Sequence, residues 1–111
     1  MIEREATLLV NQLSEQFPAM LILGPRQCGK TTLAKHFLKG EYFDLEKPSD
    51  LQIFLGDIEF SLKRVKGPVI LDEAQTLPEL FPILRAQIDE NRQKMGRYFL
   101  LGSVNPLLMD S

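Results

Sequence analysis

The chain has 111 residues, a formal net charge of −2, 44% hydrophobic and 25% charged residues, and a single cysteine. That length supports one small domain with its own core. One cysteine excludes a disulfide framework or a cysteine-rich metal site, and the slightly acidic balance offers no general basic field for nucleic acid or an anionic membrane.

In chain order, Ala6, Leu9, Val10, Leu13 and Phe17 recur at helical spacing, with Glu3, Glu5, Asn11, Gln12 and Glu15 facing away, which predicts an amphipathic helix ended by Pro18. Met1 to Glu5 lacks the basic and apolar regions of a secretory signal. No apolar run approaches the roughly 20 residues that span a bilayer. The reading is therefore a cytoplasmic protein with no membrane partner. Ala19-Met20-Leu21-Ile22-Leu23 is a short buried strand, and Thr31–Lys39 is a helix stopped at Gly40. Tyr42-Phe43-Asp44-Leu45 reads as a second strand. Asp50 is expected to cap a helix running to Phe54 or Leu55, and Asp57 a second one through Val65. Gly67-Pro68 breaks the chain before the apolar strand Val69-Ile70-Leu71, which ends at Asp72-Glu73. A helix is expected over Glu79–Gln93, with Leu80, Phe81, Leu84 and Ile88 on one side, and Tyr98–Leu101 is a fourth strand ending at Gly102-Ser103. Strands near 19–23, 41–45, 68–72 and 98–102 alternate with helices and read as continuous apolar runs. This predicts an α/β, three-layer domain with a mostly parallel sheet buried on both faces.

Between the first strand and its helix stands Gly24-Pro25-Arg26-Gln27-Cys28-Gly29-Lys30-Thr31, followed by Thr32. It matches G-x-x-x-x-G-K-[ST], the phosphate-binding loop of nucleoside-triphosphate enzymes. The four fixed positions match by chance in roughly one window in a few tens of thousands. Glycines let successive backbone N–H groups converge on one concavity, and the helix N-terminus adds positive potential for a polyphosphate. Lys30 then reaches the β- and γ-phosphates and the Thr31 hydroxyl ligates Mg²⁺. The strand 69–71 delivers two carboxylates at its C-terminal tip, the end at which ligands bind in open α/β sheets. Asp72 is expected to hold Mg²⁺ through its water shell, and Glu73 to polarise the attacking water.

The run from Phe17-Pro18 through Leu23-Gly24-Pro25-Arg26-Gln27-Cys28-Gly29-Lys30-Thr31-Thr32-Leu33 resembles prokaryotic AAA+-type P-loop ATPases whose loop is spelled G-P-R-Q-[SACV]-G-K-T-T-L. Val69–Gln75, Pro78–Pro82 with Leu84-Arg85, and Phe99–Ser103 are similar to the family's acidic strand, the helix behind it and its fourth strand. The resemblance implies ATP rather than GTP, Mg²⁺, Lys30 and Thr31 on phosphate and metal, Asp72 on metal, and Glu73 as base. It implies a first sensor at Ser103, in preference to Asn105, which reads as a turn residue before Pro106. Family members add a fifth strand in the order 5-1-4-3-2 and a C-terminal region for DNA or target recognition. Residues 1–111 are thus expected to form a single, incomplete ATPase domain lacking the last core strand and lid, with an open edge at strand one prone to self-association. Binding of ATP is expected of this chain and turnover of the complete protein, because no arginine finger is assigned here; Arg85, Arg92 and Arg97 read as solvated charges.

The remaining features read more plainly. Cys28 is a small residue tolerated in the loop, and His36 a surface histidine without partners at ligand spacing. Lys63-Arg64-Val65-Lys66 reads as a solvated basic cluster, with a DNA or partner contact as the alternative; DNA remains a possible partner that the overall charge does not support. Asp72-Glu73-Ala74-Gln75 also looks like the acidic box of some helicases, which would couple Gln75 to strand four. The functional expectation is an ATP-binding module with Mg²⁺-dependent hydrolysis in the complete protein. Its alternatives are a nucleotide-gated interaction module, a truncated non-hydrolysing fragment, and a helicase-like DNA-dependent ATPase.

Overall fold

The computed structural model describes residues 16–24, 32, 35 and 40–103. The expected first helix before Gln16, the loop Pro25–Thr31, Cys28, His36 and Asn105 lie outside the described residues. Within them Thr32 and Lys35 are helical, as the pattern after the loop predicts. The elements are β1 (Ala19–Gly24), β2 (Glu41–Asp44), α1 (Pro48–Leu55), α2 (Ile58–Arg64), β3 (Val69–Asp72), a 3₁₀ turn (Ala74–Thr76), α3 (Leu80–Glu90) and β4 (Tyr98–Ser103).

The four strands form one all-parallel sheet in the order β1-β4-β3-β2. Helices flank it, so the α/β reading stands. Val69, Ile70, Leu71 and Asp72 are all buried, as expected of a central parallel strand with neighbours on both sides. Successive side chains of the strands alternate between two cores. Phe43, Val69, Leu71, Tyr98 and Leu100 pack with Phe54 of α1, Leu62 of α2, and Leu80 and Leu84 of α3. Ile70, Phe99 and Leu101 face the other way, with Met20, Ile22 and Tyr42 against them. Phe43 and Phe54 meet edge to face, with ring centroids 5.0 Å apart. β1, at the end of the sheet among the described residues, departs from the buried strand expected: Leu21 and Leu23 are exposed.

Local chemistry explains most boundaries. Asp57 caps α2 through its Oδ1, which accepts from the Phe60 N–H at 3.0 Å. Asp50 does not cap α1. Lys47 occupies that position with Pro48 in the first turn, and Asp50 Oδ2 instead accepts from the Asp44 N–H at 2.9 Å, tying the helix to the end of β2. α3 buries Leu80, Leu84 and Gln87 as one stripe and stops at Glu90, before the expected Gln93, where Asn91 turns back to the Ile88 carbonyl. Gly40 precedes β2 at φ 145°, and a Cβ there would stand 2.7 Å from the Pro68 carbonyl oxygen.

Arg97 is not the solvated charge its sequence context suggests. Its guanidinium donates to the Gln87 carbonyl at 2.9 Å and to the Tyr98 hydroxyl at 3.1 Å. That hydroxyl donates to Gln87 Oε1 at 2.6 Å, and Gln87 Nε2 donates to the Glu59 carbonyl at 3.2 Å. The network joins β4, α3 and α2 at the edge of the sheet opposite the tips of β3 and β4. Arg85 and Arg92 are exposed, with Asp89 3.6 Å from Arg92.

Candidate functional site

Parallel pairing sends every strand's C-terminal end to one edge of the sheet. The register sets Gly24 opposite Ser103, Asp44 opposite Asp72, and Asp72 opposite Leu101. The start of the glycine loop, the two consecutive carboxylates and the end of β4 therefore share one edge. Of the residues singled out in the sequence, Gly24, Asp72, Glu73 and Ser103 are brought to this edge. Thr32 begins the described part of the following helix and is exposed. Pro25, Arg26, Gln27, Cys28, Gly29, Lys30 and Thr31 lie outside the described residues.

Asp72 is 2% exposed, and both its oxygens accept hydrogen bonds. The Tyr42 hydroxyl donates to Oδ2, and the Glu73 N–H donates to Oδ1 at 2.9 Å. Tyr42 pairs in register with Ile70 on the neighbouring strand, and period-two alternation puts Tyr42, Ile70 and Asp72 on the same face. Lys35 lies over the Tyr42 ring, its Nζ 5.2 Å from the centroid. Tyr42 has no motif to mark it. It becomes significant only once β2 is known to neighbour β3.

Glu73 is 6% exposed and is the one non-glycine residue at positive φ (54°) among the described residues. Such a conformation costs on the order of 1–3 kcal/mol and persists where the surroundings enforce it. Here the turn that follows supplies the enforcement: the Thr76 N–H donates to the Glu73 carbonyl at 3.0 Å, closing the 3₁₀ turn. The reversal at the tip of β3 brings the Glu73 carboxylate to the end of β4. There Ser103 Oγ donates to Oε2 at 2.8 Å and Gln75 Nε2 to Oε1 at 2.8 Å. No buried side-chain nitrogen or oxygen among the described residues lacks a partner.

Among the described residues no group of three or more His, Cys, Asp or Glu side chains could form an all-protein cage. Mg²⁺ retains water ligands and binds through one or two carboxylates plus phosphate, so Asp72 at the tip of β3 is a residue that could hold it. Among the described residues, no helix is long and apolar enough to cross a membrane.

Comparison with known proteins agrees with this architecture. A family model described as an AAA domain matches residues 16–111. Uncharacterized proteins of Mycobacterium tuberculosis and Mycobacterium bovis are each 37% identical to the chain over 109 residues, covering 96% of it and 24% of their own length. The chain thus spans about a quarter of the length of these curated relatives. Its parallel sheet, with consecutive carboxylates at the tip of β3, is that of a nucleotide-binding domain, and the chain belongs to the AAA domain family of P-loop ATPases.

Proposed function

We propose that this domain binds Mg²⁺-ATP and that the complete protein hydrolyses it, with Glu73 as general base. The observation that carries the reading is the meeting of Ser103 and the Glu73 carboxylate at 2.8 Å, on strand tips aligned with Gly24, where G-x-x-x-x-G-K-T begins. In this reading Gly24, Pro25, Arg26, Gln27, Cys28, Gly29 and Thr32 form the phosphate cradle. Lys30 neutralises the β- and γ-phosphates, and Thr31 and Asp72 hold Mg²⁺. The cation, when bound, offsets charge on the phosphate oxygens. Glu73 accepts a proton from a water as that water's oxygen bonds to the γ-phosphorus; the bond from that phosphorus to the bridging oxygen breaks, releasing ADP and phosphate. The Ser103 hydroxyl orients the base and contacts the γ-phosphate or the water.

A buried carboxylate with both oxygens already accepting is preorganised, so little reorientation is needed at reaction. The test is ATP turnover by the full-length protein and by Lys30→Ala and Glu73→Gln. Loss of turnover in both, with a non-hydrolysable ATP analogue still bound by Glu73→Gln, is the expected result. Unchanged turnover in either variant refutes the assignment. Mg²⁺-dependent binding without any turnover by the full-length protein would instead identify a nucleotide-gated interaction module. Stimulation of turnover by DNA is the observation that would favour the helicase-like alternative.

A further inference from the structure

We infer that Gln75 is a positioning residue for the Glu73 carboxylate, acting as one jaw of a clamp whose other jaw is Ser103. The inference rests on the reading of Glu73 as general base. Three observations lead to it, none of which concerns the phosphate loop.

Gln75 Nε2 donates to Glu73 Oε1 at 2.8 Å, while Ser103 Oγ donates to Oε2 at the same distance. A carboxylate held through one oxygen still swings about its terminal torsion, which is broad and soft. Held through both, its plane and lone pairs have a fixed direction. The two donors also come from opposite faces of the sheet. Ser103 shares the face of Leu101 and Asp72, by strand alternation and register. Gln75 stands against the next residue, Gly102, on the other face: a Cβ built on Gly102 would lie 3.2 Å from Gln75 Oε1 and 2.9 Å from Leu23 Cδ2. The amide of Gln75 therefore occupies the space that a side chain at 102 would need, and the carboxylate lies between Gln75 on one side and Ser103 on the other.

The third observation is exposure. Glu73 is buried, yet Gln75 is an exposed residue on a three-residue turn. An exposed glutamine is dispensable for the core, so its effect on turnover is separable from stability. Its oxygen cannot replace its nitrogen in this role, since an ionised carboxylate only accepts.

The experiment compares the full-length protein with Gln75→Met, which keeps length and volume but removes the donor, and Gln75→Glu, which replaces the donor by a like charge. Each is also made in the Glu73→Gln background. The readouts are kcat, KM for ATP, the Kd of a non-hydrolysable ATP analogue, and the thermal unfolding midpoint. Both variants are expected to lower kcat roughly 10- to 100-fold, the range for a misaligned reacting group. In Gln75→Met the Kd is expected to stay within about twofold, while the unfolding midpoint falls modestly in both variants as the buried Glu73 carboxylate loses a donor or meets a like charge. Combined with Glu73→Gln they should have no further effect, because groups acting as a unit are not additive. Wild-type kcat in Gln75→Met, with Glu73→Gln reduced to a small residual turnover, overturns the clamp alone. So does a kcat loss of equal size in both backgrounds, which places the action of Gln75 elsewhere. Wild-type turnover in Glu73→Gln, or none in the unsubstituted protein, overturns the base assignment and this inference with it.

Discussion

Removal of the Tyr98 hydroxyl isolates the polar network that ties β4 to two helices. Tyr98 is 4% and Gln87 3% exposed, so the Tyr98 hydroxyl and Gln87 Oε1, 2.6 Å apart, meet in the interior. In Tyr98→Phe the Gln87 oxygen loses that donor while water has little access, and the Arg97 guanidinium loses its 3.1 Å acceptor. A buried polar atom stripped of its partner costs about 1–3 kcal/mol, more than the net value of an ordinary hydrogen bond. The expected loss is therefore about 2 kcal/mol, read as a shift in urea midpoint at unchanged slope. Gln87→Met alone should cost a similar amount, because the buried Tyr98 O–H loses its acceptor while still accepting from Arg97. The double variant, which removes both partners, should cost less than the sum by about 1 kcal/mol or more.

The pH dependence provides a second reading of the same group. Burial raises the Tyr98 phenol above its ordinary 10.0, outweighing the opposing pull of Arg97. A folded pKa above the unfolded one means that stability from the neutral phenol is complete below pH 10. It is lost as pH rises through the folded value. The gap between wild type and Tyr98→Phe should thus be constant near neutrality and narrow above pH 10. A variant within about 0.3 kcal/mol of wild type at pH 7, or strictly additive single effects, would refute the reasoning.

Two other substitutions probe the edges of the site and the fold. Tyr42→Phe removes a donor from Asp72 and is expected to raise the Mg²⁺ concentration needed for half-maximal nucleotide binding by roughly 10- to 100-fold, as loss of outer partners of a metal ligand does. Binding of the nucleotide without Mg²⁺ should stay as it was; an unaltered Mg²⁺ titration would show that Tyr42 does not act through Asp72. Asp57→Ala deletes the cap on α2 and should cost about 1 kcal/mol in chemical unfolding, most of it restored by Asp57→Ser. No measurable loss would mean that the Phe60 N–H is served equally well by solvent.

The sheet and the acidic tip of β3 were legible from residues alone. Val69-Ile70-Leu71 is apolar and partly β-branched, bounded by Gly67-Pro68 and by charge, so its strand and its end are local facts. Asp57 declares itself in the same way, by lying between a glycine and an apolar run. Asp50 misleads because capping residues also make other short bonds to nearby backbone, and here the end of β2 competes successfully for its carboxylate. Arg97 misleads because a cation beside Gly96 looks solvated until α3 is folded against β4 and offers the Gln87 carbonyl.

Local sequence is enough for the order of the strands and for a match at Gly24–Thr31 to the spelling of a phosphate-binding loop, and it puts Asp72 and Glu73 where a buried strand runs out. Each depends on neighbours a few residues away, where periodicity and turn chemistry act. The groups those carboxylates meet follow from the fold. Parallel strands are joined through long crossovers, so the residues opposite β3 come from positions about 30 residues away on either side: Tyr42 on Asp72, Ser103 on Glu73. Gln75 is near in sequence, yet its role too was decided by the fold, because the left-handed turn at Glu73 and the bare backbone of Gly102 leave room for its amide beside the carboxylate.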